Sequence, residues 1–167
     1  MGRCMRCGRC CTRFGVCLTP ADIGRISRAT GLATSAFVQA IPDHEDRERK
    51  EPSVLIDGER CLIVLRWRAK RICMFYTGGG CSIYAHRPIL CRTYPFIRVG
   101  CALKDLGSRQ CPVRWAAGPD GYLKDIEAYE RDIEEYRVIA KTWNEGPGGG
   151  LETVLSFLKR GYKAKDC

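Results

Sequence analysis

The sequence predicts an α+β fold, with short helices and a β-hairpin in a cysteine-rich part and helices alone towards the C-terminal end. Three patterns carry that expectation. Apolar side chains recur at Tyr122, Ile126, Tyr129, Ile133, Tyr136, Ala140 and Trp143, the alternating spacing of four and three that lines one face of a long helix. Asp57-Gly58, a strong turn pair, separates Val54-Leu55-Ile56 from a second apolar run at residues 61–65. Twelve cysteines in 167 residues fall largely into two dense groups before residue 112.

Along the chain, Thr19 is suited to cap a helix, Pro20 to open it and Asp22 to sit in its first turn, with Ile23 and Ile26 inward and Gly31 as the stop. A second short helix is expected from Thr34 or Ser35, burying Phe37, Val38 and Ile41 and ended by Pro42. Residues 43–50 form a mixed-charge block that reads as a solvated loop. Residues 53–68 read as the hairpin, with Trp67 on an edge strand, and residues 72–76 as a further short strand ended by three glycines. Gly78-Gly79-Gly80 lacks the Lys-Ser/Thr that follows a phosphate-binding loop, so it is read as a turn between Cys73 and Cys81. After the long helix, residues 144–150 form a linker. A last helix then carries Leu151, Val154, Leu155 and Leu158 on one stripe. Residues 1–118 are expected to form a cysteine-cluster region and residues 119–167 a helical cover, within one compact domain.

The cysteines point to chemistry. The run Cys4-Met-Arg-Cys7-Gly-Arg-Cys10-Cys11 places four thiols in a stretch with little apolar surface to bury them. Soft donors at this spacing suit zinc or an iron–sulfur cluster. No run of about 18 apolar residues exists and no apolar stretch follows the basic N-terminus, so no membrane contact, no secretory leader and a cytoplasmic location are expected. In a reducing compartment clustered cysteines are metal ligands rather than disulfides. The cysteine-rich part is therefore expected to be metal-organised.

The second group has a more specific order: Cys73, Cys81-Ser-Ile83-Tyr84, Arg87-Pro88, Cys91-Arg92 and Tyr94-Pro95-Phe96, followed by Cys111-Pro112. With the opening C-x-x-C-x-x-C-C, residues 1–115 closely resemble the YkgJ-type cysteine-cluster family, a zinc- or iron-chelating domain related to the flagellin lysine N-methylases. The resemblance implies eight ligands: Cys4, Cys7, Cys10, Cys11, Cys73, Cys81, Cys91 and Cys111. Cys10 and Cys11 are neighbours whose side chains are expected to diverge towards different metals or different irons. Cys4, Cys7 and Cys10 reproduce the C-x2-C-x2-C wrap of an iron–sulfur cluster and Cys111-Pro112 the remote fourth ligand, so an iron–sulfur cluster is preferred to zinc. Arg92 and Arg87 are candidates to donate to the sulfurs, Arg87 alternatively to hold loop carbonyls. His86 is a candidate extra ligand and Cys17 and Cys101 are spares, while Cys61 is expected to pack in its strand.

The formal charge of +9 is read as compensation for thiolates. A protein partner is expected, and nucleic acid is a possibility that no reading motif supports. No strand–Gly-loop–helix unit, no C-x3-C-x2-C triad and no Ser-His-Asp set occurs, so no independent catalytic motif is read. Two roles follow: a metal protein serving electron transfer or a protein-modification reaction such as methylation, or a structural zinc module for protein or nucleic-acid contact.

Overall fold

Residues 61–65 are apolar without a polar break, the pattern of a strand buried on both faces, and the fold is built on them. In the computed structural model, which describes residues 4, 6–44, 51–105 and 119–162, this run lies in β3 (Glu59–Leu65). Antiparallel neighbours β1 (Val38–Pro42) and β2 (Val54–Ile56) flank it in the order β1-β3-β2. Asp57 and Gly58 have φ of 49° and 85°, the positive values that a tight hairpin turn requires, and Ile56 pairs with Glu59.

The helix beginning at Thr34 spans only Thr34–Phe37 (α2, after α1 at Pro20–Thr30). Val38 to Pro42 then pair residue by residue with Leu65 to Cys61. Phe37 and Val38 are buried as expected, but β3 supplies ladder partners that a four-residue helix cannot match. The α1 signals hold. Thr19 and Asp22 form a reciprocal capping box and Gly31 ends the helix in the left-handed region at φ 69°.

β2 covers only the first part of its edge of β3. The rest is taken by the chain just after the first cysteine group: Leu18 N–H donates to Ile63 O at 2.9 Å and Leu65 N–H to Val16 O at 2.8 Å. The central strand thus anchors the opening loop. Downstream, β4 (Trp67–Arg68) pairs with β5 (Ile72–Cys73), which is shorter than expected because the chain turns from Cys73 to Tyr76, where Tyr76 N–H donates to Cys73 O at 3.0 Å. The short α3 (Ile89–Thr93) and the hairpin of β6 (Phe96–Val99) and β7 (Ala102–Asp105) follow.

The long helix α4 (Leu123–Asn144) buries Ile126, Tyr129, Ile133, Tyr136, Ala140 and Trp143, the stripe read from the sequence except for Tyr122, which lies half-buried in the 3-10 turn before it, together with Ile139. Its C-terminal end closes the outer edge of β2. Asn144 Oδ1 accepts from Leu55 N–H at 2.8 Å, and Trp143 Nε1 donates to Leu55 O at 2.7 Å. The last helix, α5 (Leu151–Gly161), buries Val154, Leu155 and Leu158 in the same core. Among the described residues no helix is long and apolar enough to cross a membrane.

Candidate metal centre

Each cysteine segment is held by a different part of this frame. The first leaves the β3 edge at Val16 and folds back through a 3-10 turn at Cys10–Thr12. Gly8 lets it close: its φ is 76°, and a Cβ there would run into the Tyr76 ring. The second segment starts at Cys73 on β5 and reverses over the glycines, where Thr77 N–H donates to Gly80 O at 3.0 Å and Tyr76 bridges to Cys81. A 3-10 turn at Tyr84–His86 and Pro88 then lead into α3, which carries Cys91.

Helix α1 fixes that last turn. Asp22 Oδ1 accepts from the Ile89 N–H at 2.9 Å, and Arg25, paired with Asp22, donates from Nη2 to Arg87 O at 3.1 Å. From the other side, Tyr129 and Ile133 of α4 pack on Ile89.

The two segments face one cavity of about 520 Å³, whose wall includes Cys4, Cys7, Cys10, Cys11, Cys73, Cys81 and Cys91. Seven of the eight cysteines implied as ligands therefore share one space. The eighth, Cys111, lies outside the described residues. The remaining wall is largely apolar, with Phe14, Phe75, Ile83 and Phe96 among it and Arg6, Arg9 and Arg87 as cations. No described residue of α4 or α5 lines it, so these helices back the α3 side of the centre and do not cover its cavity.

Cys10 and Cys11 do not diverge. Their sulfurs lie 3.9 Å apart, close enough for a thiol–thiol hydrogen bond between the neighbours. Two sulfurs about 2.3 Å from one tetrahedral ion are about 3.8 Å apart. This pair is thus spaced as ligands of a single ion. The other thiols are distributed round the wall. Among the described residues no group of three or more His, Cys, Asp or Glu is drawn together in ligating geometry.

Their proton affinities reflect the setting. The hydrogen bond from Cys11 lowers the Cys10 thiol to about 7, while the same bond raises Cys11. Burial pushes up Cys73, Cys81 and above all Cys91, with neighbouring thiolates adding to the effect at Cys91. At Cys81 the charges of Arg87 and Arg6 work against burial. A soft, sulfur-only donor set inside an apolar wall suits a thiophilic cation that compensates several thiolates. The residues present fit zinc or an iron–sulfur centre.

The other candidates lie elsewhere. Cys17 bridges to Val64 on the β3 edge, Cys61 is buried within β3, and Cys101 is exposed in the turn after β6. His86 is exposed, and its carbonyl faces Arg25 at 3.5 Å. Arg92 pairs with Asp125 of α4 and so is turned from the sulfur beside it. Arg87 takes the carbonyl-holding role, donating from Nη1 to Tyr84 O at 2.7 Å. The anchoring by Asp22 and the stacking of Arg6 on Tyr84 have no local sequence signal, since each joins parts of the chain more than 60 residues apart.

A family model described as CxxCxxCC, a putative zinc- or iron-chelating domain, matches residues 3–116. No curated protein and no solved structure matches the chain.

Proposed function

The chain belongs to the CxxCxxCC family, and from that premise we propose that thiolates of both cysteine segments hold an iron–sulfur cluster used in electron transfer or in support of a protein-modification reaction by a partner protein. The observation that carries this reading is the shared cavity. Seven cysteines face about 520 Å³ of space, many times the roughly 30 Å³ of a single water and far more than one bare ion needs. Cys4, Cys7 and Cys10 come from the opening wrap and Cys73, Cys81 and Cys91 from the second segment. A cluster bound here supplies one-electron chemistry at a potential set by its surroundings. The chain's own residues set those surroundings. Phe75, Ile83 and Phe96 exclude water, Arg6 and Arg87 offset thiolate charge, and Asp22 with Arg25 fixes the loop that leads to Cys91.

The 3.9 Å separation of the Cys10 and Cys11 sulfurs favours a second reading, a closed tetrahedral zinc site that holds the fold together. Anaerobic purification followed by iron, zinc and acid-labile sulfide analysis separates the two. Brown protein with iron and sulfide in equal amounts is expected. Colourless protein carrying stoichiometric zinc overturns the cluster in favour of the zinc module.

A further inference from the structure

Resting on the reading that both cysteine segments share one metal centre, we propose that Tyr84 is a positioning residue whose ring clasps the two ligand segments together. Arg6, between Cys4 and Cys7, places its guanidinium carbon 4.1 Å from the centroid of the Tyr84 ring. Arg87, on the way to Cys91, does the same at 4.1 Å. One ring therefore carries a cation from each segment, at a distance where the quadrupole of the aromatic face attracts both.

The backbone of Arg6 is an independent sign that this contact is imposed. Its φ is 55°, a left-handed conformation that is costly for a residue with a Cβ and persists only where neighbours over-determine it. Those neighbours are visible. The Arg6 side chain lies against Gly80, where a Cβ would come within 3.3 Å of its Cδ, and its N–H donates to the Cys4 sulfur at 3.4 Å. Arg87 is fixed in turn by its bond to Tyr84 O and by Arg25 on its own carbonyl. The chain from α1 through Arg25, Arg87, Tyr84 and Arg6 thus reaches the first cysteine segment without using a sulfur. It sets how far the opening wrap stands from Cys81 and Cys91, and it slows the wrap's departure once metal is bound.

The test measures release of zinc from zinc-loaded protein to excess EDTA. Tyr84→Leu removes the aromatic face and is expected to release zinc about tenfold faster. Tyr84→Phe keeps the face and stays within about twofold of the parent. Arg6→Gln speeds release on its own but adds little in the Tyr84→Leu background, since both remove the same contact. Parental release from Tyr84→Leu, release from Tyr84→Phe as fast as from Tyr84→Leu, or full additivity of Arg6→Gln each overturns the clasp. Metal-free protein provides the second measurement. Limited trypsin digestion after Arg6 and Arg9 is expected to quicken in Tyr84→Leu and not in Tyr84→Phe, and equal rates in all three proteins overturn the clasp. A parent chain that binds neither zinc nor iron removes the metal reading, while the trypsin comparison still decides the clasp.

Discussion

The Asp22 carboxylate accepts a hydrogen bond from the Ile89 N–H at 2.9 Å, across 67 positions of sequence. The same carboxylate accepts from Thr19 N–H at 3.2 Å and pairs with Arg25, so one fully buried group closes the start of α1 and fixes the turn before Cys91. Replacing it by alanine leaves the Ile89 and Thr19 N–H groups without this acceptor and Arg25 without its carboxylate partner. Asp22→Ala is expected to lose about 3 kcal/mol of stability, read from chemical denaturation, and to lower metal content with it. A change below 1 kcal/mol would mean that water replaces the carboxylate without cost.

Tyr136 offers the opposite case. It is 1 % exposed, and its hydroxyl has no hydrogen-bond partner among the described residues. Burial raises its pKa far above the ordinary range, so the group is a neutral donor with nothing to donate to. Tyr136→Phe is expected to gain about 1 kcal/mol and raise the melting temperature; a loss of stability would reveal a partner for the hydroxyl.

Two glycines near the centre separate conformational need from free space. Gly8→Ala meets the Tyr76 ring at a positive φ, whereas an added methyl at Gly79 meets nothing within 4 Å. Gly8→Ala is expected to cost about 2 kcal/mol and to reduce metal content. Gly79→Ala is expected to leave both within error. Equal behaviour of the two variants in a metal assay and a thermal melt would show that the opening wrap does not depend on its contact with Tyr76.

Much of the frame was legible because its signals are local. Thr19, Asp22 and Gly31 mark α1 within a dozen residues, Asp57-Gly58 marks the hairpin, and the α4 stripe repeats often enough to fix one face. Val38 to Pro42 form a strand where the sequence suggests the end of a helix, because a short apolar run suits either and their partners lie more than 18 positions away on β3. The cysteine groups announced a metal centre by type and spacing. Their meeting on one cavity depends on the β3 edge holding Val16 and on Asp22 holding Ile89, neither of which has a sequence pattern. Arg92 shows the same limit. It stands beside Cys91 in the chain, yet its partner, Asp125, lies on another helix.

Asp132 supplies a pH dependence away from the sulfurs. Burial, and then the negative charge of Asp22, raise its pKa from the usual 3.8 to about 6. Between those values the folded chain holds a proton that the unfolded chain has released, so stability falls as pH rises from about 4 to about 6. Water reaches this half-buried group, which keeps the penalty to about 1 kcal/mol at pH 7. Asp132→Asn is expected to flatten that slope, leaving the share of Asp22, whose pKa burial also raises, and to be the more stable protein at pH 7. A variant with an unchanged slope in denaturation curves at pH 4, 5, 6 and 7 would assign the effect to another group.

The proposed centre draws its sulfurs from two distant segments of the chain. X-ray absorption at the metal edge of the purified protein, compared with its Cys7→Ser and Cys91→Ser variants, tests it most directly. A shell of sulfur alone at about 2.3 Å is expected, with loss of metal or of sulfur neighbours in both variants, one from each segment. A shell dominated by nitrogen or oxygen, or one left intact by either substitution, would contradict it.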